Sequence, residues 1–133
     1  MTDATTSGNP SLEMIHSEGH DPAVFSPYLP AIKVAKGSIV FISGLTAAPP
    51  YHDHPHKPET FDAIPADIGA QVELLFTHLD QALTAAGCRR EHIVQMFRFF
   101  TNVRDDQDTV NAYQGRWFGG HIPTSTSVDR RAA

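Results

Sequence analysis

The stretch PADIGAQVELLFTHLDQALTAAGC, residues 65–88, sets the frame of this chain. Ile68, Val72, Leu75, Phe76, Leu79, Leu83 and Ala86 recur at three- and four-residue spacing, which puts them on one stripe of a helix. Pro65 suits the first turn, where a missing N–H costs nothing, and Gly87 suits the stop. Gly69 weakens the helix locally without breaking it. A helix with one apolar stripe must bury it against a sheet or a second helix.

Both partners follow in the sequence. HIVQMFRFFT (92–101) reads as a strand, with Ile93, Phe97 and Phe99 on one face and Val94, Met96, Arg98 and Phe100 on the other. Arg98 on an apolar face is either a paired charge or the mark of an edge. A second helix is expected over roughly 106–118, capped by Asp105 or Asp106, with Val110, Tyr113 and Trp117 along one side. Gly119–Gly120 ends it, and a last strand lies near Thr124–Val128.

Upstream, LEMIH (12–16) reads as a first strand and the Pro-punctuated residues 18–30 as loop. AIKVA (31–35) and SIVFIS (38–43) are expected to form a hairpin about Lys36–Gly37. SIVFIS is nearly all apolar, so it reads as a central strand covered on both faces. Gly44 would admit a close backbone neighbour or a ligand. Residues 1–11 read as an unstructured arm, 12–133 as one domain, and 45–64 as a long Pro- and His-rich loop. The expected order is β-β-β-α-β-α-β, an α+β layer fold with both helices on one sheet face. The other face would then need a cover, most simply another copy of the chain.

Composition narrows the partners. Over 133 residues the net charge is −5 and no basic stripe appears, which argues against a nucleic-acid partner. Cys88 is the only cysteine, so no intramolecular disulfide forms. With no apolar run near membrane-spanning length and no leader pattern, a cytoplasmic, membrane-free protein is expected.

The residues alone yield no catalytic set. His52, His54 and His56 of YHDHPH share one side if the segment is extended, and three imidazoles can hold Zn²⁺. The bland reading of the same residues is a solvated loop. Asp105, Asp106 and Asp108 read as helix-terminus charges, Tyr28 and Asn111 as hydrogen-bonding side chains.

Taken in order and spacing, SPY (26–28), IVFISG (39–44), PADIGAQ (65–71), AAG (85–87), HIVQMFRFFTNVRD (92–105), VNAYQGRWF (110–118) and IPTSTSV (122–128) resemble the RidA/YjgF family. The resemblance implies a chorismate-mutase-like α+β subunit, a homotrimeric barrel with clefts between subunits, and hydrolysis of reactive enamines and imines without a cofactor. It implies Tyr28 and Ser127 as catalytic positions, with Ser43, Gly44, Asn111 and Ser125 as substrate-binding ones. Two departures stand out. Ser125 occupies the position where the family carries a carboxylate-binding arginine, and Ser127 stands where many members carry cysteine. The chain also reaches Ala133 before the family's final, glutamate-bearing strand. Either Arg98, Arg104 or Arg116 replaces the missing anchor, or the substrate is uncharged or differently charged. The readings that follow are a deaminase of altered specificity, or a non-catalytic trimer that binds a small metabolite or a protein.

Overall fold

The computed structural model describes residues 3–6, 11–26 and 28–130. Its elements are β1 (Asp3–Thr6), β2 (Leu12–His16), β3 (Ala31–Val34), α1 (Pro58–Asp62), α2 (Ile68–Ala85), β4 (Gln95–Phe100), α3 (Val103–Phe118) and β5 (Thr124–Asp129), with a 3-10 turn at Arg90–His92. The α+β class is as expected, but the strands form two small sheets instead of one mixed sheet. β1, β2 and β3 make an antiparallel sheet, and β4 pairs with β5 in parallel.

The helices follow their sequence signals closely. Asp67 caps α2 by accepting a hydrogen bond from the Ala70 amide, so the helix opens at Ile68 and Pro65 lies just before it, not in its first turn. Gly87 takes φ +70°, the left-handed conformation that ends the helix. The stripe read from the sequence is the core: Val72, Phe76, Leu79 and Leu83 are buried together with Phe100, Val110, Trp117 and Phe118. Phe76 meets Trp117 edge-on at 4.8 Å, and Trp117 meets Phe118 at 4.9 Å. α3 starts earlier than expected, because Asn102 is its cap and accepts from the Asp105 amide, leaving Asp105 and Asp106 as first-turn charges.

One polar clip crosses this core. Asp80 on α2 receives Arg90 Nε at 2.9 Å and Nη2 at 2.6 Å, and it also accepts from the Trp117 indole at 3.3 Å. Arg90 Nη1 donates to the Trp117 carbonyl at 2.8 Å, and its guanidinium lies 4.2 Å from that ring's centre. The hydrogen bond with Asp80 holds the Arg90 pKa above its ordinary value.

The N-terminal third departs from expectation. Asp3–Thr6 pairs with Leu12–His16 where an unstructured arm was expected. Residues 1–2 and 7–10 of that arm lie outside the described set. β3 pairs with β2, placing Leu12 opposite Val34 and Ile15 opposite Ala31. Gly37 has the expected positive φ of +114°, yet Ser38–Ser43 forms no strand. Instead Ile39 is 74% exposed and Phe41 91% exposed. The turn signal was correct; the partner was not: β3 pairs with β2 on one edge, and its other edge has no strand beside it among the described residues. The long loop 45–64 contains the short helix α1, which periodicity over so few residues cannot reveal.

The outer face of the β4–β5 sheet is apolar and open: Phe97 is 59% exposed, Phe99 78% and Val128 42%. The opposite face, carrying Met96 and Phe100, packs into the core. No helix among the described residues is long and apolar enough to cross a membrane.

Because Phe76 sits at the centre of the aromatic cluster, Phe76→Ala is expected to lower stability by about 3–5 kcal/mol, measured by urea denaturation. A loss under about 1 kcal/mol would mean that α2 and α3 do not pack through this side chain.

Candidate active site

α3 carries two working stripes. Val110, Tyr113 and Trp117 turn towards α2. Asn111, Gln114, Gly115 and Phe118, spaced i, i+3, i+4 and i+7, share a second side. Two functional features lie along it.

The first is a polar cluster built on Arg98. β4 projects Arg98 towards the helix layer, in line with Met96 and Phe100. The parallel register sets Arg98 opposite Ser127 of β5. Arg98 Nε and Nη2 both donate to Ser127 Oγ, at 3.2 and 2.8 Å. Nη1 donates to Asn111 Oδ1 at 2.6 Å and to Gln114 Oε1 at 3.3 Å. Gln114 is fully buried. Burial pushes the Arg98 pKa below its ordinary value, and no carboxylate is among its described partners to offset this. A desolvated cation held only by neutral oxygens is a ready partner for an anion. Moreover, the Nε–Nη2 edge is the one that grips a carboxylate through two parallel bonds. Here a single hydroxyl occupies it.

Ser125 lies two residues from Ser127 on the same side of β5, opposite Met96. Its Oγ is buried and has no hydrogen-bond partner among the described residues.

The second feature is an open cavity of about 650 Å³ lined by Tyr28, Phe25, His16, Gly115, Phe118 and His121, among others. The Leu29 amide donates to the Pro123 carbonyl at 2.9 Å, which pins the Tyr28 loop against the approach to β5. Gly115 makes room for Phe25, since a Cβ there would come within 3.2 Å of that ring. The Tyr28 ring itself is half exposed. Behind it, His121 Nε2–H donates to the Ile93 carbonyl at 2.6 Å and fixes the Gly119–Gly120 turn beneath the cleft.

The structure therefore joins Asn111 and Ser127 directly through Arg98, and sets Ser125 beside them on the strand. Tyr28 lies along the same side of α3, in the neighbouring cleft. Ser43 and Gly44 are not brought to either feature. Both are exposed, and apart from its own chain neighbours no atom of the described residues lies within 4 Å of where a Gly44 Cβ would stand, so they do not supply the expected close neighbour. Among the three arginines weighed as a replacement anchor, Arg104 and Arg116 are exposed and Arg98 alone meets the site residues. Gln114 was not anticipated. Its signal was its position three residues after Asn111, on the same helical side.

Comparison with known proteins gives a consistent picture. The family model described as Endoribonuclease L-PSP matches residues 18–133. Protein DfrA of Myxococcus xanthus is 32% identical over 114 residues, covering 86% of this chain and 79% of its own length. YyfB from Yersinia pestis, a protein of unknown function in the Rid family, superposes with a TM-score of 0.69 at 19% identity, covering 92% of this chain and 90% of its own. That likeness speaks for the fold. A Thermotoga maritima protein described as a candidate endoribonuclease superposes with a TM-score of 0.57 at 28% identity, covering 81% of this chain and 76% of its own.

A buried hydroxyl without a partner costs about 1–3 kcal/mol. Ser125→Ala is therefore expected to raise the stability of the ligand-free protein by about 1 kcal/mol, read as an increase in Tm. A fall in Tm would show that Ser125 Oγ is bonded in solution.

Proposed function

This chain belongs to the Endoribonuclease L-PSP family, the RidA/YjgF proteins, and from that premise we propose that it hydrolyses reactive enamines and imines carrying a carboxylate, with Arg98 as the carboxylate anchor. The observation that carries the proposal is the Arg98 cluster: a half-buried guanidinium with no carboxylate partner among the described residues, joined to Asn111 and Ser127. Ser125 replaces the family's arginine on β5, and Arg98 on the paired strand supplies the same charge from the neighbouring strand. A substrate carboxylate would take the Nε–Nη2 edge and displace the Ser127 hydroxyl, while Asn111 and Gln114 keep hold of Nη1.

The chemistry is simple in outline. An enamine such as 2-aminoacrylate takes a proton at its methylene carbon and becomes the imine. Water then adds to the C=N carbon to give a carbinolamine. The C–N bond breaks, the nitrogen leaves as ammonia, and the oxygen stays as the keto group. In this reading Tyr28 moves protons at the leaving nitrogen, because a phenol both donates and accepts. Ser127, once released from Arg98, orients the water. The net charge of −5 disfavours an RNA substrate, whatever the family's historical description.

A second reading, a metabolite-binding protein without catalysis, has one observation in its favour. The described Arg98 cluster contains neutral oxygens and no carboxylate to activate water.

The deciding experiment generates imines in situ with an amino-acid oxidase and follows keto-acid and ammonia release. The wild type is expected to exceed the spontaneous rate. Arg98→Met should lower kcat/KM for carboxylate-bearing imines about tenfold to a hundredfold, the size of one lost charged hydrogen bond, and leave neutral imines nearly unaffected. Tyr28→Phe should lower kcat on both. No acceleration by the wild type, with an intact carboxylate-binding isotherm that Arg98→Met abolishes, would favour the binding reading.

The proposal includes a homotrimer, with the open face of Phe97, Phe99 and Val128 turned inward. Light scattering should give three times the 14.6 kDa chain mass, and Phe99→Glu should give monomers. A wild-type monomer at micromolar concentration would sink this part.

A further inference from the structure

The loop before α1 holds a cluster that the enamine chemistry does not use. In HDHPH, His52, His54 and His56 stand at alternate positions. Their ring centres form a nearly equilateral triangle, with sides of 4.8, 5.0 and 4.7 Å. The rings are tilted against one another by 36°, 52° and 56°, so they do not stack. One nitrogen from each ring lies within 4.8 Å of the others.

We propose that His52, His54 and His56 form a binding site for a borderline first-row divalent cation, Zn²⁺ foremost, which fastens the 45–64 loop. Three imidazoles and one open position make the donor set that Zn²⁺ accepts. With metal–nitrogen distances of about 2.0–2.1 Å, tetrahedral binding needs each ring to move inward by about 1 Å. His54 and His56 are exposed, so rotation of their side chains meets no packed neighbour across the triangle. Nitrogen donors select Zn²⁺, Cu²⁺ or Ni²⁺ over Mg²⁺ and Ca²⁺, which take oxygen.

Two further features set this apart from a solvated run of histidines. His52 Nδ1–H donates to the Pro49 carbonyl at 2.7 Å, which fixes the tautomer and leaves the Nε2 lone pair free for a metal. Phe61 of α1 meets the edges of His52 at 5.5 Å and His56 at 4.9 Å, giving the triangle an apolar wall.

The loop is also attached at its far side. His78 of α2 donates from Nδ1 to the Thr46 carbonyl at 2.9 Å, and Ala48 is buried. A metal at residues 52–56 would thus close a segment already held at its start, reducing the states the free loop can sample. The site is separate from the Arg98 cluster and does not depend on the deaminase reading.

The test uses untagged full-length protein and Zn²⁺ alone, titrated against a chromophoric chelator. One Zn²⁺ per chain is expected, with micromolar or tighter affinity. His52→Ala/His54→Ala/His56→Ala together should weaken binding at least about a hundredfold, and His54→Ala or His56→Ala alone about tenfold or more. His16→Ala/His20→Ala should bind as the wild type does; these two rings stack at 3.7 Å and form the competing histidine pair. Co²⁺ substitution should give the intense visible bands of a tetrahedral site. Zn²⁺ should slow proteolysis within 45–64 in the wild type and not in the triple variant. Equal affinity in wild type and triple variant, millimolar binding, or loss of binding in the His16/His20 variant would each overturn the proposal.

Discussion

Everything downstream of the core depends on how Trp117 seats against Phe76. An aromatic pair adds about 0.5–1.5 kcal/mol beyond its buried area, and here Asp80 also accepts the Trp117 indole N–H while gripping Arg90 with both oxygens. The isolated ion pair is part exposed and would contribute little in that position. Its effect is geometric: α3 can neither slide along α2 nor roll about its own axis without breaking the indole bond. Fixing that roll aims Asn111, Gln114 and Gly115 towards β4, β5 and the Tyr28 loop.

Arg98 is the consequence. A guanidinium taken out of water costs several kcal/mol unless it is satisfied. The helix answers with two amide oxygens and β5 with one hydroxyl. This arrangement tolerates the charge without neutralising it. A carboxylate in the cluster would have closed the site to anions. Neutral oxygens leave the field of the cation available, and the geometry leaves its fork on the side of β5.

The remaining tension is between apolar content and what one chain buries. Ile39, Phe41, Phe97 and Phe99 stand in solvent, and the segment Ser38–Ser43 has the composition of a covered strand without a ladder. β4 and β5 carry an open apolar face beside a packed one. Exposed apolar surfaces of this kind mark interaction or ligand sites, and SIVFIS and the two phenylalanines share one trait: neither is covered by the described residues.

Local chemistry was therefore legible where the cause was local. The 68–86 stripe, the glycine stop at Gly87, the strand at 95–100 and the side of α3 that meets α2 follow from periodicity and backbone conformation, and the sequence order of motifs carried the family. The alternate spacing of His52, His54 and His56 was equally visible. What the tertiary structure decided were partnerships. β3 pairs with β2, and the segment after Gly37 leaves the other edge of β3 unpaired among the described residues, so apolar composition alone did not make it a strand. Asn102 displaced two acidic candidates as the cap of α3, since the cap is whichever side chain meets the free amides. In the sequence Arg98 was either a paired charge or the mark of an edge. Only the β4–β5 register and the roll of α3 brought Ser127 and Asn111 to it, across 29 and 13 residues of sequence.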